Sequence, residues 1–147
     1  MKIYLGCDHA AFAEKEELKQ YLVDKNIELF DCGTHSLERC NYPDYADCVA
    51  KHVSHGDGLG LLVCGSGIGV SMVANRYQNV RAALCRSVED AKLSRQHNNA
   101  NVLCLGARTT SLDLLKDILD HWLVSKFEEG RHQERIDLFN MKGESVL

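Results

Sequence analysis

The chain has 147 residues, a length that suits one domain with a proper hydrophobic core. Its formal charge of −4 argues against a broad nucleic-acid surface but leaves room for a local phosphate pocket. No apolar stretch is long enough to span a membrane, and the opening Met1-Lys2-Ile3-Tyr4-Leu5-Gly6 reads as a strand rather than a secretory leader.

Taken in order, the segments alternate between strand and helix. Lys2 to Gly6 is an apolar strand. Ala11 to Asn26 carries Leu18, Tyr21 and Leu22 at helical spacing and is rich in Glu and Lys elsewhere. Glu28 to Asp31 reads as a second strand, followed by a long loop through Gly33 and Asn41. Pro43, the only proline, suits the first turn of a helix running to about Ser54. Leu59 to Cys64 is a third strand, which breaks into a glycine turn before a helix through Val70, Val73 and Ala74. Arg81 to Leu84 is a fourth strand. Ser87-Val88-Glu89-Asp90 resembles a capping box and starts a helix that ends near His97. Val102 to Gly106 is a fifth strand. Leu112, Leu115, Ile118, Leu119, Trp122 and Leu123 then mark an amphipathic helix.

Short apolar strands separated by helices predict an α/β fold, a parallel sheet with helices on both faces. Ligands of such sheets bind beyond the C-terminal strand ends, at a switch in strand order. Chemistry-bearing residues collect at those ends: Cys7-Asp8-His9 after the first strand, Cys64 after the third and Arg108 after the fifth. The whole chain, 1–147, reads as a single domain. Its tail, 128–147, is a charged arm with apolar Ile136 and Phe139. The arm is too short to fold alone and is expected to pack on the body or on a second subunit. Arg131 and Arg135 are four apart, so on a helix they share a face and can grip a phosphate together. The alternative is a solvated charged face with Glu128 and Glu134 as partners.

The glycine turn, Cys64-Gly65-Ser66-Gly67-Ile68-Gly69, is the most informative segment. Glycines let backbone N–H groups converge, and a helix N-terminus adds partial positive charge. Such a place holds an anion and eases ionisation of a nearby thiol. A base beside an anion cradle points to proton abstraction with a developing oxyanion. Familiar phosphate loops do not fit. Val70-Ser71 lacks the Walker lysine, the glycines miss the dinucleotide spacing by one, and position 70 is Val where a phosphatase loop has Arg. The bland reading is a tight turn with a buried core cysteine. Seven cysteines without a Cys-x-x-Cys pair are expected to stay reduced, in a cytoplasmic setting, and Cys7-Asp8-His9 is too tightly spaced for a zinc site.

Four motifs fall in the order and spacing of one family: Gly6-Cys7-Asp8-His9-Ala10, Cys64 through Ser71, Ser94-Arg95-Gln96-His97-Asn98 and Gly130-Arg131-His132. Over nearly its full length the chain resembles the ribose-5-phosphate isomerase B family, within the group that includes galactose- and allose-6-phosphate isomerases. The resemblance implies a three-layer α/β/α sandwich with a Rossmann-like five-stranded parallel sheet, ordered 2-1-3-5-4. It also implies interconversion of ribose 5-phosphate and ribulose 5-phosphate through an enediolate, with no metal, nucleotide or other cofactor.

By the same resemblance Cys64 is the base, and Gly65, Gly67 and Gly69 form the anion hole. Ser66, where relatives often have Thr, relays a proton between sugar oxygens; its other role is to cap the following helix. His97 opens the furanose ring, and Asn98 hydrogen-bonds the sugar. Asp8 is expected at the sugar hydroxyls and His9 near the phosphate. Arg131 and Arg135 clamp the phosphate, joined by Arg108 from a neighbouring subunit. That arrangement implies a homodimer with shared active sites, or a tetramer. Two departures are Asn41, where Asp is common, and Ala11, where many members have Gly. The alternatives are an allose- or galactose-6-phosphate isomerase and a non-catalytic sugar-phosphate sensor on the same scaffold. Galactose-6-phosphate isomerases divide the catalytic set between two subunits, whereas this chain carries Cys64, His97, Asp8 and the arginines together.

Overall fold

A computed structural model describes residues 1–143. Five strands, β1 (Lys2–Cys7), β2 (Glu28–Gly33), β3 (Leu59–Cys64), β4 (Ala82–Leu84) and β5 (Val102–Gly106), form one sheet ordered β2-β1-β3-β5-β4. Every pairing is parallel. This is the expected α/β fold and strand order.

Alternation along the strands builds the two outer layers. Ile3 and Leu5 of β1, Leu61 and Val63 of β3, and Leu103 and Leu105 of β5 face one side. There they pack with α1 (Phe12–Asp24), α4 (Val88–Gln96) and α5 (Leu112–Val124). Tyr4, Leu62, Val102 and Cys104 face the other side, against α2 (Tyr42–Ser54) and α3 (Ile68–Ala74). The apolar spacing of α5 becomes the buried row Leu115, Ile118, Leu119 and Trp122.

Helix ends follow their capping chemistry. Asp8 accepts the Ala10 N–H and starts a short 3-10 turn, His9–Ala11, so α1 begins one residue later than its periodicity predicts. Ser87 accepts the Asp90 N–H at the start of α4. The fourth strand loses Arg81 because its N–H goes to the Asn101 side chain.

Two side-chain meetings depart from the sequence reading. Cys32 at the end of β2 and Cys48 on α2 form a disulfide, with Cα atoms 6.2 Å apart. The expectation of seven reduced thiols therefore fails for this pair; α2 packs over the β2–β1 edge and brings together residues 16 apart in sequence. Lys15 on α1 is fully buried. Its ammonium donates to both carboxylate oxygens of Asp31, at 3.0 and 2.9 Å, and to the Thr34 carbonyl at 2.7 Å. Thr34 N–H in turn bonds the Cys7 carbonyl, so this buried charge braces the loop beside the end of β1.

Beyond α5 the arm returns along the body. The Glu128 N–H bonds the Gln96 carbonyl at the end of α4, α6 (Arg131–Ile136) follows, and Asn140 bonds the Asn79 side chain. Of the arm expected over 128–147, residues 144–147 lie outside the described residues.

Burial alone would push the Asp31 carboxyl up, but hydrogen bonds from Lys19, Lys15 and the Gly33 N–H outweigh it and hold the group below the usual carboxylate range. An acid so depressed contributes stability above about pH 4 and loses it as the pH falls through its folded value. Asp31→Asn should cost about 3 kcal/mol near neutrality, because it leaves the Lys15 charge poorly compensated. Urea unfolding at pH 7 and pH 3 should show that cost shrinking in acid.

Candidate active site

The strand order switches between the parallel neighbours β1 and β3: from this junction the connections wind toward opposite edges of the sheet. Loops leaving two such strands diverge and open a crevice at their C-terminal ends. Cys7 pairs with Val63, and Cys64 pairs with Gly106, so the β1, β3 and β5 ends lie side by side. Asp8-His9, the glycine turn and Arg108 therefore enter one neighbourhood.

Cys64 is 5 % exposed and borders the apolar layer of α2 and α3. Its sulfur is nonetheless not surrounded by hydrocarbon alone: the Gly67 N–H donates to Sγ at 3.1 Å. A donor aimed at sulfur favours the thiolate over the thiol. Other buried thiols have partners too, the Thr34 backbone at Cys7 and the Ser94 hydroxyl at Cys85, but burial outweighs them. Burial pushes Cys7 up to about 12 and Cys85 up to about 11, and it raises Cys104 as well. These three therefore favour the protonated thiol, and none of them lies in the glycine turn.

Gly67 is held at a φ of 76°, the left-handed region that turns its N–H back toward Cys64. A Cβ there would lie 2.6 Å from Leu84 Cδ1 and 2.9 Å from the Leu105 carbonyl carbon. Gly106 has the complementary role, since a Cβ on it would lie 2.7 Å from the Ser66 carbonyl oxygen. The Ala107 N–H bonds the Cys64 carbonyl and the Arg108 N–H bonds the Gly65 carbonyl, both at 2.9 Å. The Arg108 guanidinium lies over Gly65 of its own chain; Nη1 is 3.4 Å from where a Cβ would sit. Ser66 Oγ accepts the Ile68 N–H at 3.2 Å, although Gly67 and not Ser66 is the cap of α3, and among the described residues its own O–H has no acceptor.

Asp8 is buried at the start of the 3-10 turn. His9 Nδ1 accepts the Cys40 N–H at 3.2 Å, so the neutral ring carries its proton on Nε2. Sequence reasoning missed Cys40, which lies 31 residues from His9 with no local signal linking them.

His97 caps α4, with its N–H on the Leu93 carbonyl. Its ring stacks on His132 of α6, centroids 4.3 Å apart and planes 11° apart. Glu128 Oε2 lies 3.8 Å from His97 Nε2 and 3.7 Å from His132 Nε2. Sequence reasoning misses this meeting: it offers Glu128 only as a partner of the arginines and His132 only within a motif, and the one local sign is their four-residue spacing on the arm. The three donor sets lie within 4.8 Å of one another, a metal-like grouping. Yet an ion between nearly parallel rings sits above each ring plane, out of line with the lone pairs, so the grouping suits proton sharing better than chelation.

Arg131 and Arg135 are exposed on α6, and among the described residues no carboxylate pairs with them. Glu128, offered above as their partner, faces the two imidazoles instead. Asn98 is exposed and lines a cavity of about 330 Å³ with Arg81, Ser94 and Phe139; that cavity includes none of the other candidate residues.

Comparison with known proteins gives the family and the fold. A family model described as Ribose/Galactose Isomerase matches residues 3–139. The chain belongs to that family. It is 47% identical over 138 residues to ribose-5-phosphate isomerase B of Escherichia coli K12, covering 92% of each chain. Among solved structures, the Clostridium thermocellum ribose-5-phosphate isomerase B superposes with a TM-score of 0.94 at 41% identity, covering 96% of both chains. The Mycoplasma genitalium ribose-5-phosphate isomerase B with bound ribulose-5-phosphate has a TM-score of 0.92 at 39% identity, covering 95% of this chain and 94% of that one.

Gly67→Ala should lower stability by about 2 kcal/mol, through left-handed strain and the overlap with Leu84 and Leu105. Denaturant midpoints check the size of the loss. Activity should fall further than the folded fraction does, because the N–H no longer aims at Cys64.

Proposed function

We propose that this isomerase-family chain interconverts ribose 5-phosphate and ribulose 5-phosphate, with Cys64 as the base. The observation that carries the mechanism is the Gly67 N–H on Cys64 Sγ at the end of β3. The thiolate takes the C2 proton of the open-chain aldose, and charge moves onto the sugar oxygen. The N–H groups of the glycine turn stabilise that oxygen more strongly as its charge grows, which is what accelerates the step. The proton returns at C1, with the Ser66 hydroxyl relaying between the oxygens. His97 opens the furanose ring first. Asp8 and Asn98 hold the sugar, and His9 lies near its phosphate. Arg108, Arg131 and Arg135, without carboxylate partners among the described residues, take the phosphate, and that remote binding energy orients the reacting end. A pentose phosphate is favoured by the 47% identity to a ribose-5-phosphate isomerase and by the ribulose-5-phosphate bound in a close structural relative.

We further infer a homodimer. Ile68, Met72, Leu138, Phe139 and Met141 are 39 to 67% exposed, more apolar surface than α3 and the arm need in isolation. A cytoplasmic setting is inferred from five free thiols, with the Cys32–Cys48 pair running against it. Among the described residues no helix is long and apolar enough to cross a membrane.

Ribose 5-phosphate should outrun allose 6-phosphate and galactose 6-phosphate in side-by-side assays of the purified chain with chelator present; a hexose phosphate turning over faster would reverse the substrate assignment. Cys64→Ala should lower kcat by at least about 100-fold while phosphate-ligand affinity persists. Equal turnover would remove the base and leave a sensor as the better reading. Arg131→Ala should raise KM about tenfold or more with a smaller change in kcat. An unchanged KM would exclude it from the clamp.

A further inference from the structure

The arm brings a carboxylate to two imidazoles, and the reading above uses only one of the three groups. Ring opening needs two proton movements at once. The anomeric O1–H gives up its proton while its electron pair forms the C1=O1 bond. The C1–O4 pair then leaves onto O4, which takes a proton. Nothing is oxidised, and the proton count is unchanged. A neutral imidazole beside a protonated one supplies both the base and the acid.

We propose that Glu128 is a positioning residue for ring opening, its carboxylate holding the stacked His97 and His132 rings as a pair that shares one proton. Three observations carry this. The rings lie nearly parallel at 4.3 Å, a distance at which two imidazolium charges repel strongly. The same oxygen, Glu128 Oε2, stands almost equally far from both Nε2 atoms, at 3.8 and 3.7 Å. The carboxylate therefore favours one positive charge on the pair without selecting which ring bears it. The Glu128 backbone, not its side chain, pins the arm to α4 through the Gln96 carbonyl. The carboxylate is thus free of any structural duty seen among the described residues.

The surroundings oppose a second proton. Burial, followed by His97 and Arg131, holds His132 below the ordinary histidine range, with Glu128 acting in the other direction and Arg135 adding to the depression. These are the charged groups that face the pair from α4 and α6. The pair starts and finishes each opening with one proton, its position exchanged between the rings.

The inference rests on the ring-opening role given to His97, and its test separates the two. In Cys64→Ala protein, isomerisation stops but ring opening persists, and it is read as exchange between the α and β anomers of ribose 5-phosphate by ¹³C exchange NMR. That protein should accelerate exchange. Adding Glu128→Gln should reduce the acceleration about tenfold, and Glu128→Asp should recover part of it. Inorganic phosphate should bind the Gln variant no more weakly than before. Imidazole ¹⁵N shifts should show the His132 titration moving to lower pH once the carboxylate is gone, since Glu128 acts to raise it. Unaltered anomer exchange in Cys64→Ala/Glu128→Gln, or no acceleration by Cys64→Ala at all, would overturn the proposal. Loss of ribose 5-phosphate turnover in the unsubstituted chain would instead overturn the functional reading beneath it.

Discussion

One backbone hydrogen bond, from Gly67 to the Cys64 sulfur, decides what the rest of the molecule has to supply. It requires a residue with positive φ three places after the end of a buried strand, and only glycine adopts that conformation cheaply. It requires β5 to come close, which Gly106 permits, because any side chain there meets the Ser66 carbonyl. It also requires β3 to sit beside both β1 and β5 in parallel, so that three loops leave the sheet at one edge. The two apolar layers hold that sheet against its helices and leave Cys64 only 5 % exposed.

The site is assembled from parts with different mechanical support. The glycine turn is tied by backbone bonds to the loop carrying Arg108. The β1 loop is braced from below by the buried Lys15–Asp31–Thr34 cluster. The arm is held more lightly, by the Glu128 and Asn140 contacts and the His97–His132 stack. Its arginines are exposed and, among the described residues, have no carboxylate partner. On the proposed reading, rigid chemistry at the strand ends and a lighter arm that takes the phosphate divide the labour of an enzyme that must release its product.

Local sequence carried much of this architecture. An apolar run from Leu59 that ends on Cys64 and breaks into three glycines has one economical reading, and the strand, turn and helix are found there. The row from Leu112 to Leu123 and the Pro43 helix start are legible for the same reason: period and capping are short-range properties. Strand order was not available from periodicity and came from family resemblance. What stayed hidden were meetings across long separations. Cys32 finds Cys48, Cys40 finds His9, and Glu128 faces His97, each through tertiary packing without a spacing rule. Lys15 was hidden differently: a charged side chain in a charged helix gives no sign that its partner lies on the neighbouring strand.

The most direct test of the thiolate claim is active-site alkylation. Bromoacetol phosphate, a small phosphorylated haloketone, can be reacted with the native chain and the modified peptide located by mass spectrometry. The account predicts one alkyl group per chain on Cys64, with loss of activity in proportion and protection by ribose 5-phosphate. Inactivation with the label on Cys40, the partly exposed free thiol, or on a carboxylate, and with Cys64 still unmodified, would contradict it.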